Sequence, residues 1–420
     1  MEKPWPSRRD FLNASTKTGI ATGLAIGTGL PATWLKQLAA NTVGGERILI
    51  VLQLTGGNDG LNTVVPYRND AYHKARPKLG LKENEIVKIN DEIGLHPQLK
   101  TIEPFLSDGR MSVVHGVGYP SPNRSHFESM DIWHSCQDKS VRHREGWLGR
   151  WISEAQTSGS QTNVKSDSLG LHLGSEQQPL AFSARGVQVP SIASADQFRL
   201  KVQPAENTSD SEPAMVDSNE SNPSNDSDDL LNFVQSTTQV ALAASERLSK
   251  ALSRSKDEGD FPKTDLGEKL KIISRLILAG LETRVYYVSL DGFDTHSQQP
   301  LAHAGLVRQW SEALSALLKR LKEAGESERV LVMTFSEFGR RVAENASEGT
   351  DHGAAAPMFF CGPKLPKQFV GSIPSLTDLE DGDLKFQTDF RSVYAAVIEQ
   401  WFMTKSEPIL GSKYKSIALC

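Results

Sequence analysis

Cysteine is scarce in this chain of 420 residues: Cys136, Cys361 and Cys420 are its whole supply. Three are too few for a disulfide framework, and their spacing matches no zinc-binding cysteine motif. Cys361 closes an apolar run and reads as core; at most one disulfide could form, leaving one thiol over. Basic charge is short as well. Lys and Arg total 46 against 51 Asp and Glu, a formal net charge of −5. The first forty residues carry Lys3, Arg8, Arg9, Lys17 and Lys36 against Glu2 and Asp10, a surplus of +3 that leaves −8 for the remainder. That balance argues against a nucleic-acid partner. Unbroken apolar runs of membrane-spanning length are also missing, because Gly and Thr dilute the uncharged stretch from Thr18 to Leu35.

What is present describes a globular protein with an address. Hydrophobic residues make up 38% and charged residues 23%, enough to bury a large core in one domain with insertions or in two. Ser7-Arg8-Arg9-Asp10-Phe11-Leu12 followed by the weakly hydrophobic stretch resembles a twin-arginine signal peptide, with a membrane anchor as the competing reading. Residues 1–40 are therefore expected to be a leader cleaved near Ala39-Ala40, and residues 41–420 the exported domain. The expected location is periplasmic or secreted, with the twin-arginine translocase as a partner and no stable span after cleavage. From about 204 to 229, Ser, Asn, Asp, Glu and Pro dominate without Lys, Arg or an aromatic, which predicts a disordered acidic insertion.

Chemistry-bearing residues follow strand-like runs. Ile48–Leu54 breaks at Thr55-Gly-Gly-Asn-Asp-Gly60, where Asn58 and Asp59 offer oxygens to a ligand or simply form a tight turn. Val285–Leu290 runs into Asp291-Gly-Phe-Asp294-Thr-His296, and Val330–Phe335 into Ser336-Glu337-Phe338-Gly339-Arg340. Asp351-His352 precedes a third run, Met358–Cys361. In an α/β sheet such residues gather beyond the carboxyl ends of strands, as a metal ion requires. Pro122-Asn-Arg124-Ser125-His126-Phe-Glu128 opens a helical run; Ser125 either caps it, with Glu128 completing a capping box, or presents a hydroxyl at its amino terminus. A helix from about Leu301 to Lys322 joins the 285 and 330 strands as a parallel βαβ unit. Further helices are expected over 230–252, 266–279 and 389–402 and after Gly146. Tyr67–Leu81 reads as a surface excursion, and 169–173 with 180–182 as a small accessory sheet.

Together, Leu-Thr-Gly-Gly-Asn-Asp-Gly, Asn-Arg-Ser-His-Phe, Leu-Asp-Gly-Phe-Asp-Thr-His, Phe-Ser-Glu-Phe-Gly-Arg and Thr-Asp-His-Gly resemble a bacterial exported family of unknown function, remotely allied to the alkaline phosphatase and sulfatase superfamily. The likeness runs from about Arg47 to Phe402. It implies an α/β fold, a three-layer αβα sandwich with a mainly parallel sheet. It also implies metal ligands among Asp59, Asp291, Asp294, His296, Glu337 and His352, with Ser125 as nucleophile and Glu337 as ligand or base. Asn58, Arg124, His126 and Arg340 would contact the substrate. Phe338 stands where the superfamily has a metal-binding His, so a single-metal site of Asp294, His296 and His352 fits best. The metal would be zinc, calcium or magnesium. The implied function is an exported metal-dependent hydrolase of phosphate or sulfate esters, its substrate a small anionic ester or glycan-derived molecule. The alternative is an exported binding or scaffold protein that keeps the fold without the reaction.

Overall fold

The computed structural model describes residues 46–138, 145–158, 168–193, 247, 250 and 259–419. The leader, the acidic insertion, Cys420 and most of the 230–252 helix expectation lie outside them. Residues Arg47–Cys420 form one compact unit.

A nine-stranded sheet organises it. The strands are β1 (Ile48–Leu54), β2 (Met111–Gly118), β3 (Gly170–Leu173), β4 (Ser191–Ile192), β5 (Val285–Leu290), β6 (Val330–Phe335), β7 (Ala356–Cys361), β8 (Phe369–Val370) and β9 (Thr388–Asp389). Their order is β8–β2–β7–β6–β1–β5–β3–β4, with β9 paired to the end of β2. All pairs are parallel except those of β7, which runs antiparallel to β6 and β2. β1 is the central strand: all seven residues of its Ile-Leu-Ile-Val-Leu-Gln-Leu run are buried, as expected where helices cover both faces of a parallel sheet.

The helices that build the core and the site are α1 (Gly60–Thr63), α2 (Asp70–Ala75), α3 (His126–Ser135), α4 (Trp147–Ser158), α5 (Asp265–Leu278), α6 (Gln299–Glu323) and α7 (Phe390–Ala396), the last continuing as a π-helical turn over Val397–Trp401; short helices also form at Glu103–Ser107 and Glu407–Leu410. Alternation along β1 divides the core. Ile48, Ile50, Leu52 and Leu54 pack with Leu270, Ile273, Trp310, Leu314 and Leu317 of α5 and α6. Leu49 and Val51 pack on the opposite face with Trp133, Trp147, Trp151, Phe390 and Tyr394 of α3, α4 and α7. Period-two strands between period-3.6 helices give the αβα sandwich. Thr264 caps α5 by accepting from the Gly267 amide at 3.1 Å, and Asp389 caps α7 by accepting from the Arg391 amide at 2.9 Å. Cys136 and Cys361 are buried free thiols, and burial pushes the Cys136 thiol up to about 12.

Three expectations change. β5 and β6 do not pair with each other, because β1 lies between them and pairs with both. Gly170–Leu173 joins the main sheet beside β5, while Leu180–Phe182 is a 3-10 turn, so these segments make no accessory sheet. Tyr67–Leu81 is not a surface excursion: it contains α2, and Tyr72, Arg76 and Leu79 are buried.

The strand directions place the chemistry. β1, β5 and β6 all finish at one edge of the sheet. β7 is antiparallel, so its entry, just after His352, lies at that edge too, and so does the end of β2, with Val117 opposite Ala356. Five chain segments therefore deliver their loops to one place.

Candidate metal centre

Four side chains from three of those loops converge. Asp294 Oδ1 lies 3.0 Å from His296 Nε2, 3.0 Å from His352 Nε2 and 3.5 Å from His126 Nε2. The Nε2 atoms of His296 and His352 are 2.9 Å apart. His126, Asp294 and His352 can each offer one ligand atom within 4.8 Å of the others.

The outer face of each imidazole is already engaged. His126 Nδ1 is 2.8 Å from Glu337 Oε1, His352 Nδ1 is 2.8 Å from the Arg124 carbonyl oxygen, and His296 Nδ1 is 3.2 Å from Asp351 Oδ1. An Nδ1 that gives its proton to such an acceptor leaves a lone pair on Nε2, the tautomer that metal binding requires. The Nε2 atoms of His126 and His352 and an Asp294 oxygen make the mutually close set, and His296 Nε2 adjoins two of its members. His126 Nε2 is buried and has no hydrogen-bond partner. Such a group is costly unless something fills the gap, and separations of about 3–3.5 Å are those of donors sharing one cation at about 2 Å. The donor set fits a divalent ion. Imidazole nitrogens favour zinc over calcium or magnesium, which prefer all-oxygen shells.

The surroundings fix the donors. Burial pushes the Asp294 carboxyl up, but the hydrogen bond and charge of Arg340 and the neighbouring His352 imidazole outweigh it and hold it at about 2. The hydrogen bond to Glu337 raises the His126 imidazole above its ordinary value, against the opposing effect of burial. The Phe338 ring packs 4.9 Å from that of His126 and 4.8 Å from that of His352, an apolar wall beside the cluster.

Several expected ligands stand elsewhere. Asp59 is buried: it accepts from Arg76 at 2.6 Å, from Gln299 Nε2 on the same oxygen, and from the Asn62 amide as the cap of α1. Burial raises its pKa, yet Arg76, His303 and Gln299 together leave it lowered. With both oxygens taken, it has nothing to give a metal. Asn58, expected to contact substrate, is buried and bonds Thr63 and His303 inside the same network. Asp291 is exposed and outside the cluster. Glu337 is fully buried, and its Oε1 serves both His126 and the Gly56 amide at 2.8 Å, so it supports a donor rather than being one.

Arg340 also departs from its expected role. Its buried guanidinium donates to the carbonyls of Gly56, Gly57, Phe293 and Thr350 and to Asp294 at 2.7 Å, tying the β1, β5 and β6 loops together. It orients a donor instead of meeting a substrate. The glycines of the first loop serve the same closeness: Gly56 sits at φ 114°, and a Cβ there would fall 2.4 Å from the Asp294 nitrogen. The turn admits a neighbouring loop, not a ligand.

Ser125 precedes α3 with its hydroxyl exposed and without a side-chain capping bond, so the capping expectation fails. It lies between Arg124, whose carbonyl meets His352, and His126. The Arg124 side chain itself pairs with Asp383 at 2.8 and 2.5 Å. His126 was expected to contact substrate and instead joins the donors. The available signal was its place at the start of a helix beside the Ser125 loop; Arg76, Gln299 and His303 gave none, since their partners are distant in sequence.

An α/β sandwich with an imidazole and carboxylate cluster at the carboxyl edge of its sheet is the class of protein that this geometry defines. The chain belongs to the family described as "Protein of unknown function (DUF1501)", whose model matches residues 46–376. Among curated proteins, none matches it. Among solved structures it is similar to a protein in the alkaline phosphatase superfamily from Vibrio parahaemolyticus, at TM-score 0.41 and 9% identity, covering 89% of this chain and 70% of that one. It is also similar to the C-terminal periplasmic domain of EcEptC from Escherichia coli in complex with Zn, at TM-score 0.39 and 9% identity, covering 76% and 74%. A third is the lipoteichoic acid synthase LtaP from Listeria monocytogenes, at TM-score 0.38 and 10% identity, covering 83% and 75%. Likeness this distant carries no chemistry to the present chain.

Proposed function

We propose that this chain is an exported metal-dependent hydrolase of phosphate or sulfate esters, with one divalent ion held by His126, Asp294, His296 and His352. The observation that carries the reading is the shared aim of three Nε2 atoms whose Nδ1 atoms are all engaged behind them. A bound ion would polarise an ester oxygen and lower the pKa of a nearby hydroxyl or water. The protein's own groups do the rest. Arg340 and the buried Glu337 hold Asp294 and His126 in place. Ser125 offers an uncapped hydroxyl at the amino end of the ten-residue α3, where free N–H groups favour an anion. The site holds one ion rather than two because the carboxylates that would serve a second, Asp59 and Glu337, are occupied.

Export rests on the twin-arginine-like leader. Among the described residues no helix is long and apolar enough to cross a membrane.

The test is metal analysis of protein exported in its native host, followed by a screen of aryl phosphate and aryl sulfate esters. One zinc per chain and turnover of at least one ester class are expected, and Ser125→Ala should keep the zinc while losing about 100-fold or more in rate. The alternative, a binding protein on the same fold, draws on one observation: no hydrogen bond joins the Ser125 hydroxyl to a cluster imidazole among the described residues. Zinc-replete protein as inert as its Ser125→Ala variant would establish that alternative.

A further inference from the structure

Beside the cluster, a cleft of about 520 Å³ is lined by Asn123, Arg124, Ala354, Asp383 and Phe386, and by the turn at Glu380 and Asp381. Its position follows from the chain. Asn123 and Arg124 lie three and two residues before His126, Ala354 lies two after His352, and the Arg124 carbonyl touches His352 Nδ1. A group bound there would lie against the loop that leads into Ser125 and His126.

The lining selects what fits. The Asp383 side chain is 3% exposed; its Oδ2 is held by Arg124, while its Oδ1 has no hydrogen-bond partner and only a 3.4 Å ionic contact with Arg341. A buried carboxylate oxygen with spare acceptor capacity calls for a donor. Charge argues against a second anion, since Glu380, Asp381 and Asp383 outnumber Arg124 and Lys385. Half-buried Phe386 adds a partial apolar wall. An acceptor beside an aromatic ring, with little net attraction for anions, suits neutral hydroxyl groups on a carbon ring.

We propose that this cleft binds the uncharged, hydroxyl-bearing alcohol portion of the substrate, so that the preferred esters are those of sugars. The inference rests on the metal-hydrolase reading for the word ester, but not for binding itself. Saturation-transfer NMR on zinc-loaded protein with unesterified glucose, galactose and N-acetylglucosamine tests it. At least one sugar should bind, with its Kd raised about fivefold or more in Asp383→Asn, the loss of one charge-assisted hydrogen bond, and unchanged in Asp291→Asn, an exposed residue outside both cleft and cluster. Glu380→Gln leaves the Arg124–Asp383 pair intact and should weaken the same sugar; it decides the matter should Asp383→Asn fail to fold. Binding that responds to these variants in a protein inert toward every ester would sink the hydrolase and keep the subsite. No binding by any of the three sugars, or binding indifferent to both cleft variants, would overturn the subsite even in an active enzyme.

Discussion

Two polar clusters meet at the carboxyl edge of the sheet, built from the same residue types. One gathers Asp59, Arg76, Gln299 and His303 beneath the first loop; the other gathers Asp294, Arg340, His296, His352 and His126 above it. In the first, every side chain is buried and both Asp59 oxygens are spoken for. In the second, the Asp294 and His296 side chains are 48% and 45% exposed, and the buried His126 Nε2 has no hydrogen-bond partner. Residue type therefore does not separate a structural network from a functional one. The count of unmet acceptors does, together with access to solvent, since a closed network stabilises a fold and an open one is ready for a cation.

The sharpest break in that comparison is Arg76→Ala. Removing the cation strands a buried Asp59 carboxylate, and the loss should be about 3–5 kcal/mol by urea denaturation. A loss below about 1 kcal/mol would mean that the first cluster is not the structural one. Next comes His352→Ala, where zinc affinity measured by competition with a chelating dye should fall more than about 100-fold while the metal-free protein keeps its melting temperature. An unchanged affinity would remove the second cluster from consideration as a metal site.

Acid sharpens the contrast further. Burial lowers the His303 imidazole to about 4, against the pull of Asp59 and with that of Arg76 and Arg340, and burial lowers His134 to about 3. Above pH 6.5 both are neutral folded or unfolded and contribute no slope. Below it the unfolded chain takes up their protons first, so stability falls as pH drops toward 4, by about 1.4 kcal/mol per pH unit for each group. Asp59, with its lowered pKa, contributes stability above the ordinary carboxylate range that is lost as pH falls through its folded value. His303→Gln should flatten the slope between pH 6.5 and 4 by up to one proton, as read from denaturation midpoints across pH; an identical slope would show that His303 takes no part. The smallest effect is expected from Asp351→Asn, which weakens an exposed support of His296 and should cost about tenfold or less in zinc affinity. A loss as large as that of His352→Ala would make Asp351 a ligand instead.

Much of this was legible in the chain. The β-branched runs at Ile48, Val285 and Val330 announced a buried sheet, and the loops carrying Asp294, His296 and His352 announced side chains that gather at its edge. The role of His126 was not, because a histidine opening a helix has the same local signature whether it meets substrate, solvent or metal. Nor was the fate of Asp59. Its Asn-Asp-Gly turn reads as a site, and only Arg76 and Gln299, 17 and 240 residues away, close it.

Local pattern determined which segments became strands and helices, since periodicity and side-chain shape act over a few residues. It also set the stock of donors held by the loops. Tertiary structure decided the sheet order, with β1 between β5 and β6 and β7 reversed, and so decided which donors meet. It also decided which of them are already satisfied, because a carboxylate's freedom depends on partners brought to it through space.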